Sequence, residues 1–324
     1  MYALFLALIP QFFLHVSGFL GINLGNVLEA PTEGEWAPVA QEYYFDDYRA
    51  QNFTRVRIPI RWDRHMGTSP PYNIDSTFMA RVHEVVGWGL SRNLTVLVNS
   101  HHDDWIDNQS NFTAMLPRFL ALWTQVANSF STAPSNLLFE VINEPISLTL
   151  SQLNVLYARV VPLMRENNPV RPIYLGGLSW MNPSWIEKNP DGVTFPPLQN
   201  GLPDSMLRLE VHSYDPYTFC LQNPPTSASW GTSSDVAAVA QMYSDLAVWS
   251  KNHGNKAVYM GEAGCQVAAP SRQDRLLWYS TVGKASMDLE GLTIWDDFGN
   301  WKIYDRNQRT WDTGVLQALF SSRK

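Results

Sequence analysis

Eight short runs of almost uninterrupted apolar residues recur along the chain: Phe19–Leu24, Thr54–Ile60, Leu94–Ser100, Leu137–Asn143, Pro172–Leu178, Leu207–His212, Lys256–Glu262 and Leu292–Asp296. They are short and rich in β-branched residues, as strands buried on both faces must be. Between them the period changes to that of a helix. Asp75–Leu90 sets Phe78, Val82, Val85 and Val86 on one face, with Ser76 as its expected cap. Asn111–Phe130 repeats the pattern with Phe112, Met115, Phe119, Leu122, Trp123 and Val126. Further helices are predicted over Ser151–Asn167, Ser234–His253, Ser271–Asp288 and Thr313–Ser321. The fifth connection, Trp180–Pro203, is rich in Pro and Asn and predicts only a weak helix.

Strands alternating with helices predict an α/β chain folded as a (β/α)8 TIM barrel, one domain over residues 19–324. The rival is a doubly wound open sheet, which usually opens with a Gly-rich phosphate turn. Here the first strand leads into Gly21-Ile-Asn-Leu-Gly25-Asn26, without the third glycine or a following helix signal.

Composition narrows the partners. The 324 residues are 45% hydrophobic and 16% charged, enough for a large core. A net charge of −7 disfavours nucleic acid. Thirteen Trp exceed what a core alone asks for, and indole faces are good platforms for sugar rings. Residues 1–18 resemble a secretory signal, with an apolar run ending at Val16-Ser17-Gly18, although no Lys or Arg precedes it. The alternative is a retained segment packed under the barrel. Sequons at Asn52, Asn93, Asn108 and Asn111 add weight to a secreted, extracellular glycoprotein. Cys220 and Cys265 are either one disulfide or two buried thiols. No membrane span is expected.

Polar residues gather where the strands end, which in a barrel is where an active site lies. Strand two carries Arg57, strand three His101 and His102, strand four Asn143 and Glu144. Strand six ends with His212 and Tyr214, strand seven with Glu262, strand eight with Trp295. Two glutamates, brought together from distant strands, could break a glycosidic bond as acid/base and nucleophile. The run His101-His102-Asp103-Asp104 invites a metal, but no second cluster completes a ligand set, so neither metal nor cofactor is expected.

These stretches resemble glycoside hydrolase family five, the retaining β-glycanases. The resemblance rests on GINLGNVLEAPTEGEW, TRVRIPIRW, VNSHHDDW, LFEVINEP, VHSYDP, YMGEAG, Trp295 and IYDRNQRTWD, from about Gly21 to about Leu319. It is nearest the endo-β-1,4-glucanase (cellulase) branch. The resemblance implies Glu144 as acid/base and Glu262 as nucleophile. Arg57 and Tyr214 would support Glu262, Asn143 would hold the 2-hydroxyl of the −1 sugar, and His212 would tune Glu144. His101 and His102 would contact the −1 sugar, and Trp295 would floor it. Both histidines reach the site only if the strand has ended or bulged, because adjacent strand residues point to opposite sides. Asn26 and Glu29 would bind glycone hydroxyls, and Trp36, Trp105, Trp180 and Trp230 are candidate stacking platforms, about half of them packing.

Two departures bear on specificity. Asp296 follows Trp295 where relatives often carry a glutamate, which would shorten a side chain beside the −1 or −2 site. Ala263-Gly264-Cys265 replaces a more usual Phe-Gly and would reshape a cleft wall. The implied function is a secreted retaining endo-β-1,4-glucanase acting as a monomer on a β-linked poly- or oligosaccharide. The alternatives are the same mechanism on mannan, xyloglucan, mixed-linkage or β-1,3-glucan, and an inactive carbohydrate-binding barrel. No separate carbohydrate-binding module is legible, so soluble or amorphous glucan is expected before crystalline fibres.

Overall fold

The computed structural model describes residues 18–323. The signal reading of residues 1–18 therefore lies, but for Gly18, outside the described residues. Eight parallel strands close into one barrel in chain order: β1 (Phe19–Asn23), β2 (Arg55–Ile58), β3 (Thr95–Asn99), β4 (Leu137–Glu140), β5 (Ile173–Gly176), β6 (Leu207–Ser213), β7 (Val258–Ala263) and β8 (Gly291–Ile294). The helices are α1 (Glu42–Ala50), α2 (Ser76–Ser91), α3 (Phe112–Ser129), α4 (Leu150–Arg165), α5 (Pro183–Lys188), α6 (Ser233–Asn252), α7 (Arg272–Ala285) and α8 (Thr313–Ser321). The expected barrel is thus observed, with strand ends within three residues of the apolar runs. Among the described residues no helix is long and apolar enough to cross a membrane.

Local chemistry corrects several helix starts. Asp75, not Ser76, caps α2 by accepting the Phe78 N–H at 2.8 Å. Capping boxes start α4 at Thr149 with Gln152, and α6 at Thr232 with Asp235. The weak fifth connection yields only the six residues of α5.

Alternation along the strands divides each between two surroundings. Val96 and Val98 face the helices and join the large core, whereas Leu97 and Asn99 face the barrel axis. Low in the barrel, Leu97, Leu138, Tyr174 and Tyr259 form a cluster of their own. Beneath it Glu290 accepts from Arg55 at 2.9 Å and from Tyr174 OH at 2.7 Å. One layer up, the inward residues of β1, β2, β3, β4 and β6 turn polar: Asn23, Arg57, Asn99, Glu140 and Glu210, all fully buried. This polar layer is the base on which the site rests.

Candidate active site

A break in register aims Glu262. Val211 pairs with Met260, but the next residue, His212, pairs with Glu262, so Gly261 is an extra residue in β7. Such a bulge redirects the side chain that follows it. Glu262, which simple alternation would send outward from Tyr259 and Gly261, instead meets the polar layer. Arg57 Nη1 donates to its Oε1 at 2.6 Å, and Tyr214 OH to its Oε2 at 2.7 Å.

Glu144 is placed differently. β4 ends at Glu140, and Glu144 takes the left-handed conformation at φ 45° ahead of Pro145. That conformation costs a non-glycine residue about 1–3 kcal/mol. It turns the carboxyl back over the barrel, where His212 Nδ1 meets its Oε1 at 2.9 Å. The side chain keeps 24% of its surface, against 6% for Glu262. A carboxylate oxygen from each glutamate and a His212 nitrogen all lie within 4.8 Å of one another.

The two carboxyls therefore differ in charge. Burial raises Glu144, and the nearby Glu262 charge raises it further. Burial also works to raise Glu262, but His212, Arg57 and the Tyr214 hydroxyl outweigh it and hold the group below its ordinary value. Burial disfavours a charged His212, yet Glu262, Glu144 and Glu210 prevail and lift it to about 10. One glutamate thus keeps a proton where the other loses it, the division that acid/base and nucleophile require.

The other expected residues fall as follows. Arg57 is fully buried and shared: besides Glu262 it holds Glu140 at 2.6 and 2.7 Å, Asn143 Oδ1 at 2.7 Å and Asn23 Oδ1 at 3.0 Å. Because Asn143 accepts from Arg57, its amide N–H2 is left to donate. Asn99 Nδ2 lies 3.1 Å from His101 Nδ1, so His101 carries its proton on Nε2. Burial, His102 and Arg57 keep that ring neutral. β3 has ended before both histidines, and His102 has φ 58°. The His102 ring sits edge-on to His101 at 4.6 Å and to Trp36 at 5.4 Å. Trp295 lies parallel to His101 with centroids 6.2 Å apart. Gly25 lets the first loop pass beneath: a Cβ there would lie 2.6 Å from Asp296 O and 3.0 Å from the Trp295 ring. A cavity of about 1300 Å3 joins His101, Glu144, His212, Glu262, Trp295 and the 59%-exposed Trp180.

Some expectations need correction. Glu29 is fully buried, and its carboxylate accepts the backbone N–H of Asn26 and, at 2.9 Å, of Val27. It holds the first loop and cannot meet a sugar. Asn26 donates to Asp297 O at 3.1 Å. Asp296 is likewise buried, pairing with Arg306 at 3.0 Å and accepting from Ile303 and Tyr304 N–H, so its shortened side chain does not face the cleft. Trp230 lines the cavity but is buried against Phe219. Trp105 packs on Phe119 and Arg118, tied to Asp103 at 3.0 Å.

Cys220 and Cys265 are bridged, S–S 2.23 Å. The wall they secure includes Trp301, which donates to Cys220 O at 3.0 Å and meets Tyr214 edge-on at 5.8 Å. Sequence reasoning missed Trp301, Glu140 and Glu210. The two glutamates were detectable as charges inside apolar strand runs, Glu140 alone in LLFEV and Glu210 beside Arg208 in LRLEV; Trp301 offered no signal beyond its indole. Of the sequon asparagines, Asn52, Asn93 and Asn111 are exposed, and Asn108 is half-buried with its oxygen accepting from Ser110.

Fold and site together define a class: a closed (β/α)8 barrel that brings two carboxyls of opposite tendency to the ends of its fourth and seventh strands. The chain matches the model for cellulase, glycosyl hydrolase family 5, over residues 21–297, and it belongs to that family. It is 38% identical over 312 residues to Endoglucanase H of Acetivibrio thermocellus, covering 93% of this chain and 33% of that one. With Endoglucanase B of Paenibacillus lautus it shares 34% over 221 residues, 61% of this chain and 38% of the relative. The chain thus spans about a third of the length of these two relatives. The crystal structure of endoglucanase Cel5A from Thermotoga maritima superposes with a TM-score of 0.85 at 30% identity, covering 94% and 98% of the two chains.

Proposed function

We propose that the protein is a secreted retaining endo-β-1,4-glucanase. Glu262 attacks the anomeric carbon while Glu144 protonates the departing oxygen; water, deprotonated by Glu144, then releases the sugar from Glu262. The observation that carries this is the spacing. Retaining enzymes hold their carboxyls about 5–5.5 Å apart, inverting ones about 6.5–9.5 Å. Approach of their oxygens to within 4.8 Å falls on the short side of that divide and suits direct attack by Glu262. Proton NMR of the first-formed product from a β-cellobioside tests it: β-anomer is expected, and α-anomer overturns the mechanism.

The glucan assignment leans on the relatives' names as endoglucanases. A mannan reading is favoured by one finding: a Thermotoga maritima Cel5A structure, TM-score 0.84, is titled as a complex with mannotriose. Product profiles on carboxymethyl cellulose and on β-mannan separate the two, and no release from any β-1,4-glucan removes the first. Secretion is supported by the disulfide, which persists in oxidising compartments, and by the exposed sequons. Retention of the expressed protein inside its host cell would contradict it.

A further inference from the structure

Beneath the two glutamates of the double displacement lie two more carboxyls that the reaction does not use. Glu140 is fully satisfied by Arg57 and by Asn99 Nδ2 at 3.1 Å. Glu210 is not. Its Oε1 lies 3.3 Å from His212 Nε2 and 3.5 Å from Arg57 Nε, and its buried Oε2 has no partner among the described residues. The room it occupies is made by Gly261, the bulged residue beside Glu262. A Cβ on Gly261 would fall on Glu210 Oε1, 2.7 Å from Glu210 Cδ and 2.9 Å from His212 Nε2. The fold therefore leaves out a side chain next to Glu262 in order to seat Glu210 under His212.

His212 consequently bridges two carboxyls, Glu144 at Nδ1 and Glu210 at Nε2. Whatever engages one ring nitrogen sets what the other can carry. The groups facing Glu210 are Arg57 on β2, Glu140 on β4, His212 on its own strand, Tyr259 on β7 and Tyr157 on α4, with Glu144 and Glu262 beyond His212. Two cations, Arg57 and His212, confront four carboxyls, and burial at this depth does not tolerate two unpaired negative charges. Protons must stay within the cluster. Burial first, and the Glu140 charge second, raise Glu210 to about 7.

We propose that Glu210 is a positioning residue for Glu144: it accepts from the Nε2–H of His212, turns the Nδ1 edge toward the Glu144 carboxyl, and through that ring sets the pH at which Glu144 still holds the proton it delivers. This rests on the assignment of Glu144 as acid/base.

Leaving-group chemistry provides the test. A phenyl cellobioside needs a proton on its departing oxygen; a 2,4-dinitrophenyl cellobioside does not. Removing the Glu210 charge lowers the proton affinity of His212 and Glu144. Glu210→Gln is therefore expected to move the basic limb of kcat/KM for the phenyl substrate to lower pH by about half a unit or more, leaving the dinitrophenyl rate in place. Glu210→Ala, which removes the acceptor, is expected to lower the phenyl rate about tenfold more than the dinitrophenyl rate. Where the alanine variant does not fold, the isosteric glutamine carries the test. Equal losses on both substrates, or an unmoved limb in Glu210→Gln, overturn the proposal. Glu144→Ala run alongside separates the two readings. If its kcat/KM falls equally on both substrates, the acid/base assignment fails; if its kcat/KM falls selectively on the phenyl substrate while that of the Glu210 variants does not, only the role of Glu210 falls.

Discussion

Arg57 ties the polar layer to Glu262, so its replacement by methionine tests the electrostatics of the site most sharply. Its guanidinium makes five hydrogen bonds of 2.6–3.0 Å, three of them to the carboxylates of Glu140 and Glu262. Methionine removes every one and strands two buried negative charges. Removing one partner of a buried pair costs about 3–5 kcal/mol. The loss should stay near that range although two pairs are broken, because the stranded carboxyls can take up protons. Glu262 is held below its ordinary value in the folded protein, so its ionisation adds stability above the unfolded value, and that stability is lost as pH falls through the folded one. Without Arg57 the Glu262 value rises, and the acid limb of kcat/KM, which needs Glu262 ionised, moves to higher pH. Each unit of movement corresponds to about 1.4 kcal/mol and tenfold in rate below the limb. Activity on 2,4-dinitrophenyl cellobioside across the acid range, with urea unfolding in parallel, gives both numbers. Arg57→Lys, which keeps charge but loses the fork, should fall between parent and Arg57→Met. An acid limb and a urea midpoint both unchanged in Arg57→Met would show that Arg57 does not hold Glu262 ionised.

Three further outcomes follow. Replacing Glu29 by alanine should cost about 1–3 kcal/mol in urea unfolding, since two backbone N–H groups lose their acceptor, and should disturb the first loop rather than a direct sugar contact; an unchanged urea midpoint counts against its structural role. Removing the disulfide with the Cys220→Ser/Cys265→Ser pair, which opens a separation of 45 residues, should lower stability by about 2–5 kcal/mol; a melting temperature identical with and without reductant would contradict this. Trp180→Ala removes an exposed cavity-lining indole, so KM for cello-oligosaccharides should rise by roughly fivefold or more with unfolding unaffected; an unaltered KM would remove Trp180 from the binding surface.

The barrel was legible because its strands are buried on both faces, and apolar runs of that length have few other uses. Helix α1 was not, for its buried Tyr44, Phe45 and Tyr48 lie among acidic residues and lack the spaced aliphatic stripe of α2 or α3. Strand-end positions identified Glu144, Glu262, Arg57 and Trp295 as one group, since topology alone brings strand ends together. What could not be read was the direction each side chain takes. Alternation would have turned Glu262 away, and only the extra residue at Gly261 brings it in. Glu29 looked like a contact because it is a polar residue in the first loop, yet the loop folds over it. Glu210 was passed over because, two residues after Arg208, it reads as half of a local charge pair until its neighbours across the barrel are known.

Double displacement requires that Glu262 become covalently bonded to sugar. Incubation with a 2-deoxy-2-fluoro β-cellobioside bearing a dinitrophenolate leaving group, followed by intact-mass and peptide analysis, tests it directly. A single fluoroglycosyl adduct on the peptide containing Glu262, absent from Glu262→Gln, is the predicted result. An adduct on Glu144 or elsewhere, or turnover without any adduct and with inverted product, would contradict it.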